Sequence, residues 1–219
     1  MELENRIRTL YSAGRLEGCT EQEIQAAREF FGALPKAVED FWRAAGRTKQ
    51  LLCGQDDWQF PAFYERWGWP KTSRDLSLLC ENQYVCEAAV LQKDLSLPDP
   101  PVYTRMAADD GPWQLSAPAV SEFLEAALTY EAVWSLPYSP EGFFSLTETE
   151  LQTVRSKLTK HSAVLRNWME MEITFYSSRP DNLLVVMDLG DEYQALYGGV
   201  TQESYQALLD VMEGLGEPL

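Results

Sequence analysis

The side chains able to do chemistry in this chain are one histidine, four cysteines and 34 carboxylates. His161 lies in KLTKHSAV, where the flanking lysines and the helical spacing predict a surface residue on a helix. Any Ser-His-Asp or Cys-His scheme must use this one imidazole, since partners meet in space rather than in sequence. Glycine-rich phosphate cradles and the G-x-S-x-G elbow are absent, and no His/Cys spacing suits zinc. No metal and no cofactor is therefore expected. Cys19, Cys53, Cys80 and Cys86 form no C-x-x-C pair and read as reduced thiols.

Carboxylates remain, because a glycosidase needs only two. Two acidic pairs stand beside tryptophan: Asp56-Asp57 before Trp58, and Asp109-Asp110 before Trp113. That combination suits sugar stacking, and it equally suits an acidic protein-binding patch with an aromatic anchor. Both tryptophans have core packing as the competing reading. The balance favours binding over catalysis, which makes Asp56, Asp57, Trp58, Asp109, Asp110 and Trp113 the candidate partner-binding residues.

Charge points the same way. The net charge is −16, yet residues 1–50 carry 8 basic and 8 acidic side chains, so the whole excess lies beyond residue 50. Such a surface repels phosphate backbones and anionic lipid and attracts basic proteins. Direct nucleic-acid or membrane binding is not expected. The N-terminal MELENRIRTLYSAG interleaves acids and arginines without an apolar stretch, and no run approaches 18 apolar residues, so the expected location is the cytoplasm.

The elements that must position these groups follow from periodicity. Leu3, Ile7 and Leu10 share one helical face, and Thr20-Glu21-Gln22-Glu23 is a capping box opening a second helix that Gly32 stops. Pro35 starts a third, with Val38, Phe41, Trp42 and Ala45 as its buried row. In the aromatic stretch 58–69, Phe60, Phe63, Tyr64 and Trp67 have helical spacing. Extended runs at 76–80, 84–91 and 102–105 are joined by short turns, and a helix follows Pro118. A second capping box at Thr147 opens a helix whose apolar row is Leu151, Val154, Leu158 and Leu165. Strands follow at 171–176, 183–187 and 193–197, and Thr201 caps a last helix. Strands joined by turns rather than crossover helices define an α+β chain with a mainly antiparallel central sheet flanked by helices.

The order TEQEIQAAREFFGALPKAVEDFWRAAG, LLCENQYVCEAAVLQKDL, DPPVYTRM and DGPWQLSAPAVSEFLEAAL resembles the SUKH superfamily, the Smi/Knr-like group of bacterial immunity proteins and fungal cell-wall regulators. The resemblance covers residues 18–134. It implies a SUKH-like α+β core over 1–138. It also implies an immunity protein that neutralises a cognate polymorphic toxin, many of which act on nucleic acid, and the acidic charge separately fits a basic partner. Residues 139–219 fall outside that pattern as a strand-rich C-terminal extension packed on the same unit, either lengthening the sheet or forming a subdomain. The alternatives are a regulatory scaffold in cell-envelope or stress signalling, and a carboxylate-pair glycosidase.

Overall fold

The computed structural model describes residues 2–62, 64, 68, 74–107 and 111–219. Four helices come first: α1 (Glu2–Leu10), α2 (Glu21–Phe31), α3 (Lys36–Ala45) and α4 (Lys49–Leu52). The Thr20 hydroxyl accepts the Glu23 N–H at 3.3 Å and Glu23 Oε2 accepts the Thr20 N–H at 2.7 Å, closing the expected capping box. Gly32 ends α2 at φ +83°, a left-handed conformation that costs glycine little. Pro35 stands just outside the first turn of α3 as its N-cap. Phe60 and Tyr64 are buried as their spacing predicts, while Phe63 and Trp67 lie outside the described residues.

The first sheet is wholly antiparallel, in the order β1 (Asp57–Trp58), β2 (Leu76–Cys80), β3 (Cys86–Val90), β4 (Val102–Met106), β5 (Gln114–Ala117). The strands expected at 76–80, 84–91 and 102–105 are its three central members, except that the second begins only at Cys86, Tyr84 being drawn into the preceding turn. Helix α5 (Val120–Val133) follows and is buried on nearly every side, as a helix apolar all round must be.

The extension builds a sheet of its own. It runs β6 (Phe144–Leu146), α6 (Glu148–Lys157), β7 (Thr159–Trp168), β8 (Met171–Ser177), β9 (Asn182–Asp188), β10 (Tyr193–Gly199), α7 (Gln202–Met212) and β11 (Glu217–Pro218). These strands form an antiparallel sheet in the order β11-β6-β10-β9-β8-β7. Seven helices and two antiparallel sheets of five and six strands, counted among the described residues, make the chain α+β.

One expectation is corrected here. The helix opened by Thr147 does not reach Leu165; it ends at Lys157, and Leu158 is already extended at φ −115°, ψ 153°. Residues 159–168 are strand, so His161 lies on β7 and not on a helix. Tertiary pairing overrides the helical spacing: Ala163 and Leu165, two apart, face the core, and β8 takes the backbone hydrogen bonds in register from Lys160↔Tyr176 to Trp168↔Met171.

The main core extends through both parts of the chain, from Ile7, Trp42 and Phe60 through Phe123 to Trp168, Phe175, Val185 and Leu196. A smaller cluster lies under α6 and α7, with Leu151, Val154, Tyr176, Leu184, Val186 and Leu208. Strand β9 thus sends Leu183, Val185 and Met187 to one core and Leu184 and Val186 to the other. A strand covered on both faces reads as a continuous apolar run. At the seam, the Ser116 hydroxyl donates to the Arg166 carbonyl at 2.7 Å and the Asn167 amide to the Leu115 carbonyl at 2.9 Å. No described helix is long and apolar enough to cross a membrane.

Candidate functional site

The acidic pair before Trp58 does not form an exposed patch with that tryptophan. Strand β1 alternates, with Asp57 outward and Trp58 inward. Trp58 is 5% exposed and packs on Phe41 at 5.5 Å and Phe60 at 6.0 Å between ring centroids. Core packing wins for this residue, which has no surface to offer a partner. Asp56 also points inward, drawn under α5. Trp113 is half-buried, and its ring is covered by the Arg105 guanidinium at 4.5 Å, itself paired with Glu87 at 2.7 Å. Asp109 and Asp110 lie outside the described residues.

Asp56 meets an acid the sequence reading passed over. Glu131, 0% exposed on α5, accepts the Asp56 N–H on Oε2 at 3.0 Å, and the Asn82 N–H donates to Asp56 Oδ1 at 3.3 Å. The remaining oxygens, Asp56 Oδ2 and Glu131 Oε1, are buried without a hydrogen-bond partner, a lack the two side chains can meet by bonding each other. Two carboxyls can do so only by sharing a proton. Burial lifts the Glu131 carboxyl well above the usual range, and the neighbouring Asp56 charge lifts it further. Burial likewise raises Asp56 to about 6, with the charge of Glu81 adding to it. Of the two, Glu131 is raised further and is the one placed to carry the shared proton, with Asp56 accepting it. Being fully enclosed, Glu131 gives a substrate no approach, so the pair tethers α5 to β1. The legible signal was the single carboxylate within the apolar helix sequence AALTYEAVW.

His161 has more structure around it than its lysine neighbours implied. It is half-buried at a cavity of about 420 Å³ between α1, β7 and the β8–β9 turn, lined also by Arg6, Thr9, Ser177 and Arg179. Its Nε2 lies 2.8 Å from the Ser177 Oγ, a nucleophile–base distance. The third member has the wrong sign for that chemistry. Arg6 Nη1 approaches Nδ1 at 3.5 Å, and a guanidinium can only donate. Nδ1 then accepts, Nε2 carries the hydrogen and donates it to Ser177, and the imidazole is turned away from taking the serine's proton. Burial, and then the Arg6 charge, lower the basicity of His161 further. Arg6 is also bonded to Glu125 at 2.7 Å and Thr129 at 2.9 Å, so this cluster joins α1 and α5 to the second sheet.

The open surface with a distinct character lies elsewhere. Antiparallel register places the β7–β8 turn and the β9–β10 turn at one end of the second sheet, since Glu172 faces Asp188 and Asp188 faces Tyr193. That end carries Glu170, Glu172, Asp188, Asp191 and Glu192, with Leu189 exposed among them. Lys160 and Arg179 lie at the opposite end. The β7–β8 turn adjoins the β2–β3 turn, where the Met169 N–H reaches Cys86 Sγ at 3.4 Å. Beside it stands Tyr84, 50% exposed, with its hydroxyl donating to Asp57 Oδ2 at 3.3 Å. Of the six candidates, Asp57 alone is shown to belong to this acidic end. No group of three His, Cys, Asp or Glu side chains among the described residues is arranged to hold a metal ion. Compared with protein-family models, with curated proteins and with solved structures, the chain matches none.

Proposed function

We propose that this chain is an immunity protein, a binding module that neutralises a basic toxin domain acting on nucleic acid by occupying it with an acidic face. The observation that carries the reading is the charge separation: net −16 overall, neutral over residues 1–50, and Glu170, Glu172, Asp188, Asp191 and Glu192 gathered at one end of a sheet. A domain that handles nucleic acid must present positive charge to phosphate. A complementary anionic face steers the encounter and lies over the same surface. The SUKH resemblance over residues 18–134 leads to the same class of partner from a different set of residues. Leu34-Pro35, Glu81-Asn82-Gln83, Asp99-Pro100-Pro101-Val102-Tyr103 and Trp113 before Ser121-Glu122-Phe123-Leu124 carry it, and of these only Glu81-Asn82-Gln83 lies in a turn at the acidic end.

The test mixes the purified chain in stopped flow with the product of the reading frame directly upstream, which this reading expects to be a toxin domain. The association rate is expected to fall steeply as salt rises from 20 to about 300 mM, because exposed charges are screened beyond about 8 Å at physiological ionic strength. Asp188→Lys/Asp191→Lys is expected to slow association at low salt by about tenfold and to flatten the salt slope. No association, or an association rate independent of salt, overturns the reading.

A further inference from the structure

Among the described residues, four of the five non-glycine residues with positive φ lie at the acidic end of the molecule. Tyr84 is at φ +61° in the β2–β3 turn, and Asn167, Met169 and Glu170 are at +57°, +50° and +65° around the β7–β8 turn. The β2–β3 turn closes with the Tyr84 N–H on the Glu81 carbonyl at 2.8 Å and then needs a left-handed residue, a place where glycine is the unstrained choice. The β7–β8 turn has two central residues, both left-handed, the geometry for which Asn-Gly is preferred; here they are Met169 and Glu170. Strain held at a bulky aromatic is maintained by its surroundings and concentrates where a side chain must be presented. Glu81 supplies that support: its buried carboxylate accepts the Gln83 N–H at 2.8 Å and the Val85 N–H at 3.3 Å, clamping the turn from within.

What the clamp presents is a phenol ring beside a carboxylate. Tyr84 is half-exposed, and its hydroxyl meets the exposed Asp57. A planar cation fits both: it stacks on the ring and takes the carboxylate oxygens through parallel N–H donors. We propose that Tyr84 and Asp57 form a seat for an arginine side chain of the basic partner. This rests on the immunity reading for the identity of the partner and adds which residues meet it. Guanidinium is favoured over ammonium because its flat face and its fork are both used, whereas lysine offers a strongly hydrated point charge. Glu170, Glu172 and Asp188, at the end of the second sheet whose β7–β8 turn adjoins this one, add to the attraction for a cation, and the ring–carboxylate pair fixes the contact.

Two measurements test the seat. In the first, the parent, Tyr84→Gly, Asp57→Asn and Tyr138→Ala chains are titrated with the product of the reading frame directly upstream. Tyr138, 39% exposed, lies by the opposite end of the second sheet, where it bridges Gly199. Tyr84→Gly and Asp57→Asn are each expected to weaken Kd at least tenfold, chiefly through faster dissociation, and Tyr138→Ala to leave it within twofold. Glycine suits the φ at position 84, so Tyr84→Gly is expected to keep or raise the Tm. Asp57→Asn, a nearly isosteric change on an exposed residue, guards against a binding loss caused by misfolding. In the second, hexa-arginine is expected to shift the backbone resonances of Asp57 and Tyr84 more than hexa-lysine of equal charge. Parental binding with both seat variants within twofold of parent overturns the seat, and so do equal shifts from the two peptides. If that product does not bind while hexa-arginine selects these residues, the immunity reading falls and the guanidinium seat stands.

Discussion

At the scale of single residues, the acids of this chain divide into two kinds with opposite pH behaviour. Glu23, Glu39 and Glu150 are bonded to arginines or to backbone N–H groups at helix starts. Their carboxyls sit below the usual range, against a burial effect that for Glu23 and Glu39 is the largest single influence and acts upward. They contribute stability that is present above about pH 4.5 and lost as pH falls. Asp56 is the reverse: burial, then the Glu81 charge, raise it from 3.8 to about 6. A carboxyl raised on folding contributes stability that is complete below its unfolded value, near pH 4, and lost as pH rises through about 6. The loss is on the order of 3 kcal/mol at 1.36 kcal/mol per pH unit. The chain is therefore expected to be most stable near pH 5 and to lose several degrees of Tm by pH 7.5. Asp56→Asn keeps an oxygen for the Glu131 O–H and removes the charge. It is expected to raise Tm at pH 7.5 and to flatten the profile between pH 4.5 and 7.5. A variant profile parallel to the parent's would show that the Asp56–Glu131 pair does not govern that range.

At the scale of elements, what could be read from the sequence follows from whether the information is local. Capping boxes are local, and those at Thr20, Thr147 and Thr201 all close, the last with Ser204 as its third residue. Alternation is local too, so β2, β3, β4, β8, β9 and β10 were visible in outline. The end of α6 was not, because LTKHSAVL carries apolar residues at both helical and strand spacing, and only the presence of β8 decides between them. The site was harder still. Asp56 and Glu131 are 75 residues apart, and Tyr84 gains its meaning from Asp57 across the sheet end. The junction of β10 with α7 is another contact of this kind. A Cβ on Gly199 would lie 2.5 Å from both the Ser204 Oγ and the Tyr205 N, inside the first turn of α7. The Ser204 hydroxyl also holds the Asp181 carbonyl at 3.0 Å, so the turn has little room to withdraw. Gly199→Ala is expected to destabilise the chain by about 1–3 kcal/mol, the usual range for overpacking. Urea unfolding measures it, and a change below about 0.5 kcal/mol would mean that α7 shifts freely on the sheet.

At the scale of the whole molecule, the question is whether two sheets make one cooperative unit. Helix α5 belongs by sequence to the first part, yet its buried residues Phe123, Leu128 and Val133 share a core with Leu165, Phe175 and Val185 of the second sheet. Trp168, fully buried at the end of β7, belongs to that same core beside Asp56, toward whose carboxyl its indole N–H lies without closing a hydrogen bond. The Arg6 guanidinium joins α1 to Glu125 on α5 and to His161 on β7. Removing the second sheet would thus expose an apolar face of the central helix and leave Arg6 and Asp56 without part of their polar surroundings. Neither half can bury its apolar surface alone, and a shared core is what makes unfolding all-or-none. Calorimetry is expected to show one transition whose van't Hoff and calorimetric enthalpies agree, with near- and far-ultraviolet circular dichroism melting together. A chain ending at residue 138 is expected to lack cooperative unfolding and a near-ultraviolet signal. Two resolved transitions in the full chain, or a cooperative melt of residues 1–138, would show that the first sheet and its helices are a folding unit in their own right. The acidic end would then be carried by two units able to move relative to each other, and not by one rigid face.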